Sequence, residues 1–159
     1  MTDPVPAGTP GPKAAADGAK PARPAGPPPS KPVPTPTDAN RPFFAGCAEG
    51  VLRLRRCLEC GRHHAPTRAA CACGSVSFEW VQTAGRGTVF SHTVVHRAPD
   101  PAFRADLPYV IAIVEFEEGG RLMSNLVNCA PDAVRVGMPV KAVFETVAEG
   151  VGVVKFEPA

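Results

Sequence analysis

The sequence predicts a mainly β protein in which a small metal-binding ribbon is followed by a small closed barrel. Three observations carry this. Two cysteine pairs, Cys57-Leu58-Glu59-Cys60-Gly61 and Cys71-Ala72-Cys73-Gly74, are separated by ten residues and each is followed by glycine. Beyond Gly87 the chain breaks into five runs of β-type residues divided by Gly- and Pro-containing turns. Before Arg41 it is mostly Pro, Ala, Gly, Thr and Lys, with no Leu, Ile, Phe, Tyr or Trp to seed a core. The expected organisation is a disordered Pro/Ala-rich tail over residues 1–40, a short helix plus ribbon over 41–82, and a barrel over 83–159.

The tail should be solvated, with polyproline II character around Pro27-Pro28-Pro29. Order is expected from Arg41. Asn40 can cap a short helix, Pro42 sits in its first turn where a missing N–H does no harm, and Gly50 can end it. Phe43 and Phe44 then form an apolar plug against the ribbon or barrel, or else part of an interface.

Val51 to Arg55 alternates and should lead into the first cysteine turn, and Ser77 to Val81 should lead out of the second. Paired as a hairpin, they would set Leu52 and Leu54 opposite Phe78 and Trp80. Between them lies a polar loop. The cysteine spacing is that of a rubredoxin-like zinc ribbon, in which four thiolates at about 2.3 Å close a tetrahedral structural site. Glycine after each pair lets the backbone turn back through positive φ. The second pair has one intervening residue where two are usual. On an extended segment, i and i+2 still point the same way, so both sulfurs can reach one ion. Zinc on Cys57, Cys60, Cys71 and Cys73 is the leading reading. The alternatives are a site in which His63 or His64 replaces one thiolate, and a metal-free cluster of small apolar cysteines. A unit this small buries too little surface to fold alone, so metal would supply much of its folding free energy.

The five later runs are Thr88–His96, Tyr109–Phe116, Arg121–Val127, Pro139–Thr146 and Val151–Glu157. A long first strand without one polar face suits the five-stranded OB-fold barrel, whose first strand bends and joins both halves of the sheet. A β-sandwich usually needs more strands.

Net charge is +2, so no strong field advertises nucleic acid or an anionic membrane. No run approaches the roughly 18 apolar residues of a membrane span, and no apolar leader opens the chain. A reducing cytoplasm is therefore the expected compartment, where paired cysteines bind metal more often than they form disulfides. No Gly-x-Ser-x-Gly elbow, phosphate loop or paired-carboxylate motif occurs. His92 and His96 fall four apart on one strand, about 13 Å along the chain, too far to share an ion and read as polar positions on a half-exposed strand. Cys47 and Cys129 stand outside the pairs and read as small buried or part-buried residues without a nucleophilic role.

Taken in order, Pro42-Phe43-Phe44, Cys57-x-x-Cys60-Gly61, Cys71-x-Cys73-Gly74-Ser75, Gly85-Arg86-Gly87-Thr88-Val89, Pro108-Tyr109-Val110 and Val136-Gly137-Met138-Pro139-Val140 resemble the zinc-ribbon/OB-fold acyl-CoA-associated family, from Arg41 to about Phe156. The resemblance implies an accessory subunit, not an enzyme, that binds a thiolase-like or lipid-transfer-type enzyme and helps to bind or channel acyl-CoA. The partner would perform the Claisen-type or retro-aldol chemistry of lipid or steroid side-chain metabolism. Coenzyme A carries phosphates, so Arg86, Arg97 and Arg104 are candidate contacts to CoA or to the partner, with Phe103 of the Pro-rich loop as an exposed contact; the alternatives are solvated surface arginines and a Phe103 folded back onto the barrel. The competing function is a single-stranded nucleic-acid module. Against it stand a barrel with one Tyr and no Trp, and 13 positive against 12 negative charges after Asn40. A free-standing thioester hydrolase is the third reading.

Overall fold

The computed structural model describes residues 30–159. Most of the tail expected over residues 1–40 therefore lies outside the described residues. Its last part makes contacts: Lys31 Nζ lies 2.6 Å from Asp106 Oδ2 and 5.8 Å from the centre of the Phe103 ring.

Helix α1 runs Arg41–Ala48 with Pro42 in its first turn. The Asn40 side chain does not cap it; its Oδ1 instead accepts from the Thr37 amide at 2.7 Å, closing the preceding turn. Glu49 and Gly50, the latter at φ +74°, end the helix. Phe43 and Cys47 are buried, and Phe44 meets Phe43 edge-on at 5.2 Å.

The ribbon is a three-stranded antiparallel sheet in the order β2-β1-β3, with β1 at Arg53–Cys57, β2 at His63–His64 and β3 at Phe78–Gln82. The register corrects the expected pairing. Leu54 lies opposite Val81, Arg55 opposite Trp80, and Cys57 opposite Phe78. The leucines thus share a face with Val81, and Arg55 takes the face of Trp80. Alternation along each strand is as the sequence shows it, but alternation does not fix how two strands slide past each other. The two-residue β2, inside the segment expected to be a loop, is too short to show a period.

Five strands close the barrel in the order β4-β5-β6-β8-β7: β4 Arg86–Val95, β5 Tyr109–Phe116, β6 Arg121–Leu126, β7 Pro139–Ala148 and β8 Val151–Pro158. The long first strand serves both halves, as expected. Its start pairs with β7 through Arg86–Thr88 and its whole length with β5, with a register shift between Val89 and Ser91. The β6–β8 seam is parallel and short, at Leu126↔Phe156, and is closed by the Val127 amide donating to the Phe156 carbonyl (2.8 Å) and Ser124 Oγ to that of Val154 (2.5 Å).

One continuous core joins the parts. Val89, Val114, Val140 and Phe156 fill the barrel, while Phe43, Cys47, Leu52 and Leu54 extend the same cluster into helix and ribbon. Two glycines permit that contact. A Cβ on Gly152 of β8 would lie 2.3 Å from the Ala48 amide nitrogen, so its absence lets α1 lie directly on the barrel wall. Gly120, at φ +82° in the β5–β6 turn, would put a Cβ 2.8 Å from the His63 carbonyl oxygen, so the hairpin tip touches β2 of the ribbon. Among the described residues no helix is long and apolar enough to cross a membrane.

Candidate metal centre and binding surfaces

Strand β1 delivers Cys57 at its end, and the following turn, in which the Gly61 amide donates to the Cys57 carbonyl at 2.9 Å, delivers Cys60. The second turn is closed by Gly74 donating to Cys71 (3.0 Å) and Cys71 donating to Ser75 (2.8 Å). The shortened Cys71-x-Cys73 pair thus keeps a turn of its own. All four sulfurs lie within 4.8 Å of one another, with Cys57 and Cys73 3.7 Å apart and Cys60 and Cys71 3.4 Å apart. Sulfurs at the corners of a tetrahedron around an ion at ~2.3 Å stand about 3.8 Å from each other. The two closest pairs are near that edge length and no pair exceeds it by more than about 1 Å, so the donor set fits one zinc-sized ion after small side-chain adjustments.

The thiols are electrostatically divided. The Cys60 amide bonding to the Cys57 sulfur, helped by Glu59 and the neighbouring thiols, holds Cys57 down at about 6 despite burial. The Cys73 amide likewise lowers Cys71. At Cys73 the Ser75 amide pulls down, but Cys71, burial, Cys60 and Cys57 together push the thiol up to about 12. Such crowding of thiolates is what a divalent cation relieves. His64 is close, with Nε2 3.2 Å from Cys71 Sγ and its ring edge-on to Phe78 at 5.6 Å. It stands outside the group of four sulfurs, beside one of them, so its geometry is that of an outer hydrogen-bond partner and not of a fifth ligand. Burial first, then the charges of Arg68, Arg62, His63 and Arg55, lower its pKa.

The other sequence candidates are scattered. Arg86 is exposed at the start of β4 and lines a cleft of about 350 Å³ with Lys141, Gln82 and Phe144. Arg97 and Arg104 are exposed beyond the opposite end of β4, Arg104 in a 3-10 turn at Pro101–Asp106, where Phe103 is half-buried under Lys31. One ligand phosphate cannot meet Arg86 and the other two together. His92 is not a solvent-facing strand position. It pairs with fully buried Ala112, faces the barrel interior, and its Nδ1 is buried without a partner. The bulge after Val89 shifts the alternation by one, which the sequence pattern does not reveal. Cys47 is buried, which pushes its thiol up to about 12, and burial also raises Cys129; neither is poised as a nucleophile.

The sequence did not single out Arg62 and Arg68 in the loop between the cysteine turns, or Arg121 at the start of β6. These cations meet across the ribbon–barrel junction. The visible signal was their density in Arg62-His63-His64 and Arg68; the barrel half of the cluster lies more than fifty residues downstream.

A four-cysteine ribbon fused to a five-stranded OB barrel defines a two-part zinc-ribbon/OB-fold protein with a four-thiol site. Comparison with known proteins places it more closely. Residues 44–79 match the rubredoxin-like zinc ribbon domain of ChsH2, and residues 80–145 match the ChsH2 C-terminal OB-fold domain. A DUF35 domain-containing scaffold protein of Methanocaldococcus jannaschii is 43% identical over 105 residues, covering 65% of this chain and 71% of that protein. The chain belongs to this ChsH2/DUF35 family. A probable enoyl-CoA hydratase alpha subunit of Thermomonospora curvata is 40% identical over 69% of this chain, and a 3-oxo-4,17-pregnadiene-20-carboxyl-CoA hydratase alpha subunit of Mycobacterium tuberculosis is 41% identical over 64% of it. The chain spans only 34% and 32% of those two subunits. A solved structure described as an Ltp2-ChsH2(DUF35) aldolase superposes with a TM-score of 0.67 at 36% identity, over 79% of this chain and 98% of that one.

Proposed function

We propose that the chain is a non-catalytic accessory subunit that binds a thiolase-like, lipid-transfer-type enzyme and helps to hold acyl-CoA thioesters for carbon–carbon bond chemistry in the partner. The observation that carries this is the match over 98% of the ChsH2(DUF35) chain from the Ltp2-ChsH2 aldolase. The scaffold names of the archaeal relatives point the same way. The hydratase subunits that share this region extend well beyond it, so their names do not bring hydration to this chain.

The chemistry of the site agrees. Four thiolates that complete a tetrahedron leave no open coordination position for substrate. Zinc held by Cys57, Cys60, Cys71 and Cys73 then fixes the ribbon, and the exposed end of the barrel around Phe103, Arg97 and Arg104 is offered to the partner. Co-expression with a thiolase-like enzyme of the same organism tests the reading. A stable complex whose thioester cleavage requires both chains is expected. A chain that stays apart from every such enzyme, or that turns over acyl-CoA alone, would overturn it.

A further inference from the structure

The ribbon–barrel junction encloses a cleft of about 840 Å³, within the range of small-molecule sites. Arg62, His63, Thr67 and Arg68 line its ribbon side, and Glu115 and Arg121 its barrel side. Three arginines thus face a single carboxylate. With imidazoles neutral, this one cleft holds a net charge of +2, as much as the whole 159-residue chain.

Arg68 and Arg121 are held in place, and Arg55 braces the loop that carries Arg68. Arg55 Nη1 donates to the Arg68 carbonyl at 2.6 Å, and its guanidinium stacks on Phe78 at 4.2 Å. Arg68 Nε donates to the Ala70 carbonyl at 2.9 Å, tying the loop to itself while its terminal nitrogens stay available. Across the cleft, Arg121 lies 3.3 Å over the Phe90 ring and holds Glu115 Oε1 at 2.9 Å. Among the described residues Arg62 and Arg68 form no ion pair. Two arginine forks without an ion pair on the ribbon wall, faced across the cleft by the Glu115-paired Arg121, match the oxygens of a phosphate or diphosphate better than a single carboxylate. The side chains of Ala65 and Ala69 are the cleft's only aliphatic ones, so an acyl chain finds no wall here.

We propose that this cleft binds the phosphate groups of a nucleotide-bearing ligand, with Arg62, Arg68 and Arg121 as the phosphate donors. Resting on the accessory-subunit reading, that ligand is coenzyme A, bound here by its phosphoadenosine end while the thioester reaches toward the partner. The site lies apart from Arg86, Arg97 and Arg104.

Calorimetric titration of the full, zinc-loaded chain with coenzyme A, its phosphate-free pantetheine fragment and inorganic phosphate tests the assignment. Coenzyme A should bind saturably, pantetheine should not, and inorganic phosphate should compete weakly. Arg62→Gln, whose side chain bonds nothing else among the described residues, should weaken coenzyme A several-fold. Adding Arg121→Gln should bring the loss to about tenfold or more, with zinc content and melting temperature unchanged for Arg62→Gln. Equal binding of pantetheine, inorganic phosphate as tight as coenzyme A, wild-type affinity in the double variant, or displacement of coenzyme A by a tighter single-stranded oligonucleotide would each overturn it. The two readings fail separately. A double variant that still assembles with the thiolase-like enzyme and binds coenzyme A normally removes the cleft alone, whereas a chain that binds coenzyme A through the cleft but assembles with nothing removes the accessory role alone.

Discussion

Replacing Gly152 with alanine tests how the helix is seated on the barrel. The new methyl carbon would lie 2.3 Å from the Ala48 nitrogen, 2.4 Å from the Cys47 carbonyl carbon and 2.7 Å from Ala48 Cα, where ordinary contact begins at 3.4 Å. All three neighbours are main chain, so no rotamer change relieves the clash, and α1 must retreat by about 1 Å or β8 must bend. Overpacking of a fixed core costs roughly 1–3 kcal/mol. The retreat also loosens Phe43 and Cys47, which are buried in the shared core, so we expect about 3 kcal/mol. For a folded unit of this size that lowers the melting temperature by about 10 °C. The control is Gly150→Ala, which has nothing within 4 Å and bears only the strain of φ +67°, about 1 kcal/mol. Thermal unfolding of both variants by circular dichroism at fixed free zinc is the assay. If Gly152→Ala melts no lower than Gly150→Ala, the helix does not rest on β8 as described and the reasoning fails.

Zinc measured per chain should be one, and Cys73→Ala should bring it well below one; unchanged zinc would move a ligand to His64 or elsewhere. Acid should release the metal. Protons compete for thiolates, so affinity is fully present above the thiol pKa values and falls as pH drops, and chelator competition between pH 8 and about pH 5 should show steeply rising release. Cys47, with its thiol pushed up to about 12 by burial, should resist iodoacetamide in the native chain and react once urea unfolds it. Early alkylation there would mean that α1 leaves the barrel readily.

The sequence made the metal cluster and the strand content legible because each is written in neighbouring residues. Cys57 and Cys60 declare themselves by spacing, and the strand Tyr109–Phe116 by its nearly unbroken apolar run. What stayed hidden depends on residues that meet only after folding. Leu54 faces Val81 because the strands sit three positions away from the expected register, and His92 turns inward because the bulge near Phe90 inverts the pattern after it. Arg121 joins Arg62 and Arg68 because a glycine turn brings the β5–β6 hairpin to the ribbon. The arginines singled out beforehand were chosen for exposed loops, which sequence marks well, whereas clefts between folding units have no one-dimensional signature.

The contact of Gly120 with the His63 carbonyl makes the hairpin tip and the metal-bearing sheet a common wall. A ribbon that loses its ion would lose the order of β2, and with it one bank of the arginine cleft, while the barrel stays closed. On the cleft assignment proposed above, metal content and anion affinity would then rise and fall together, so that zinc supply, acting far from any reacting bond, would set how much of the chain can bind a phosphate-bearing ligand.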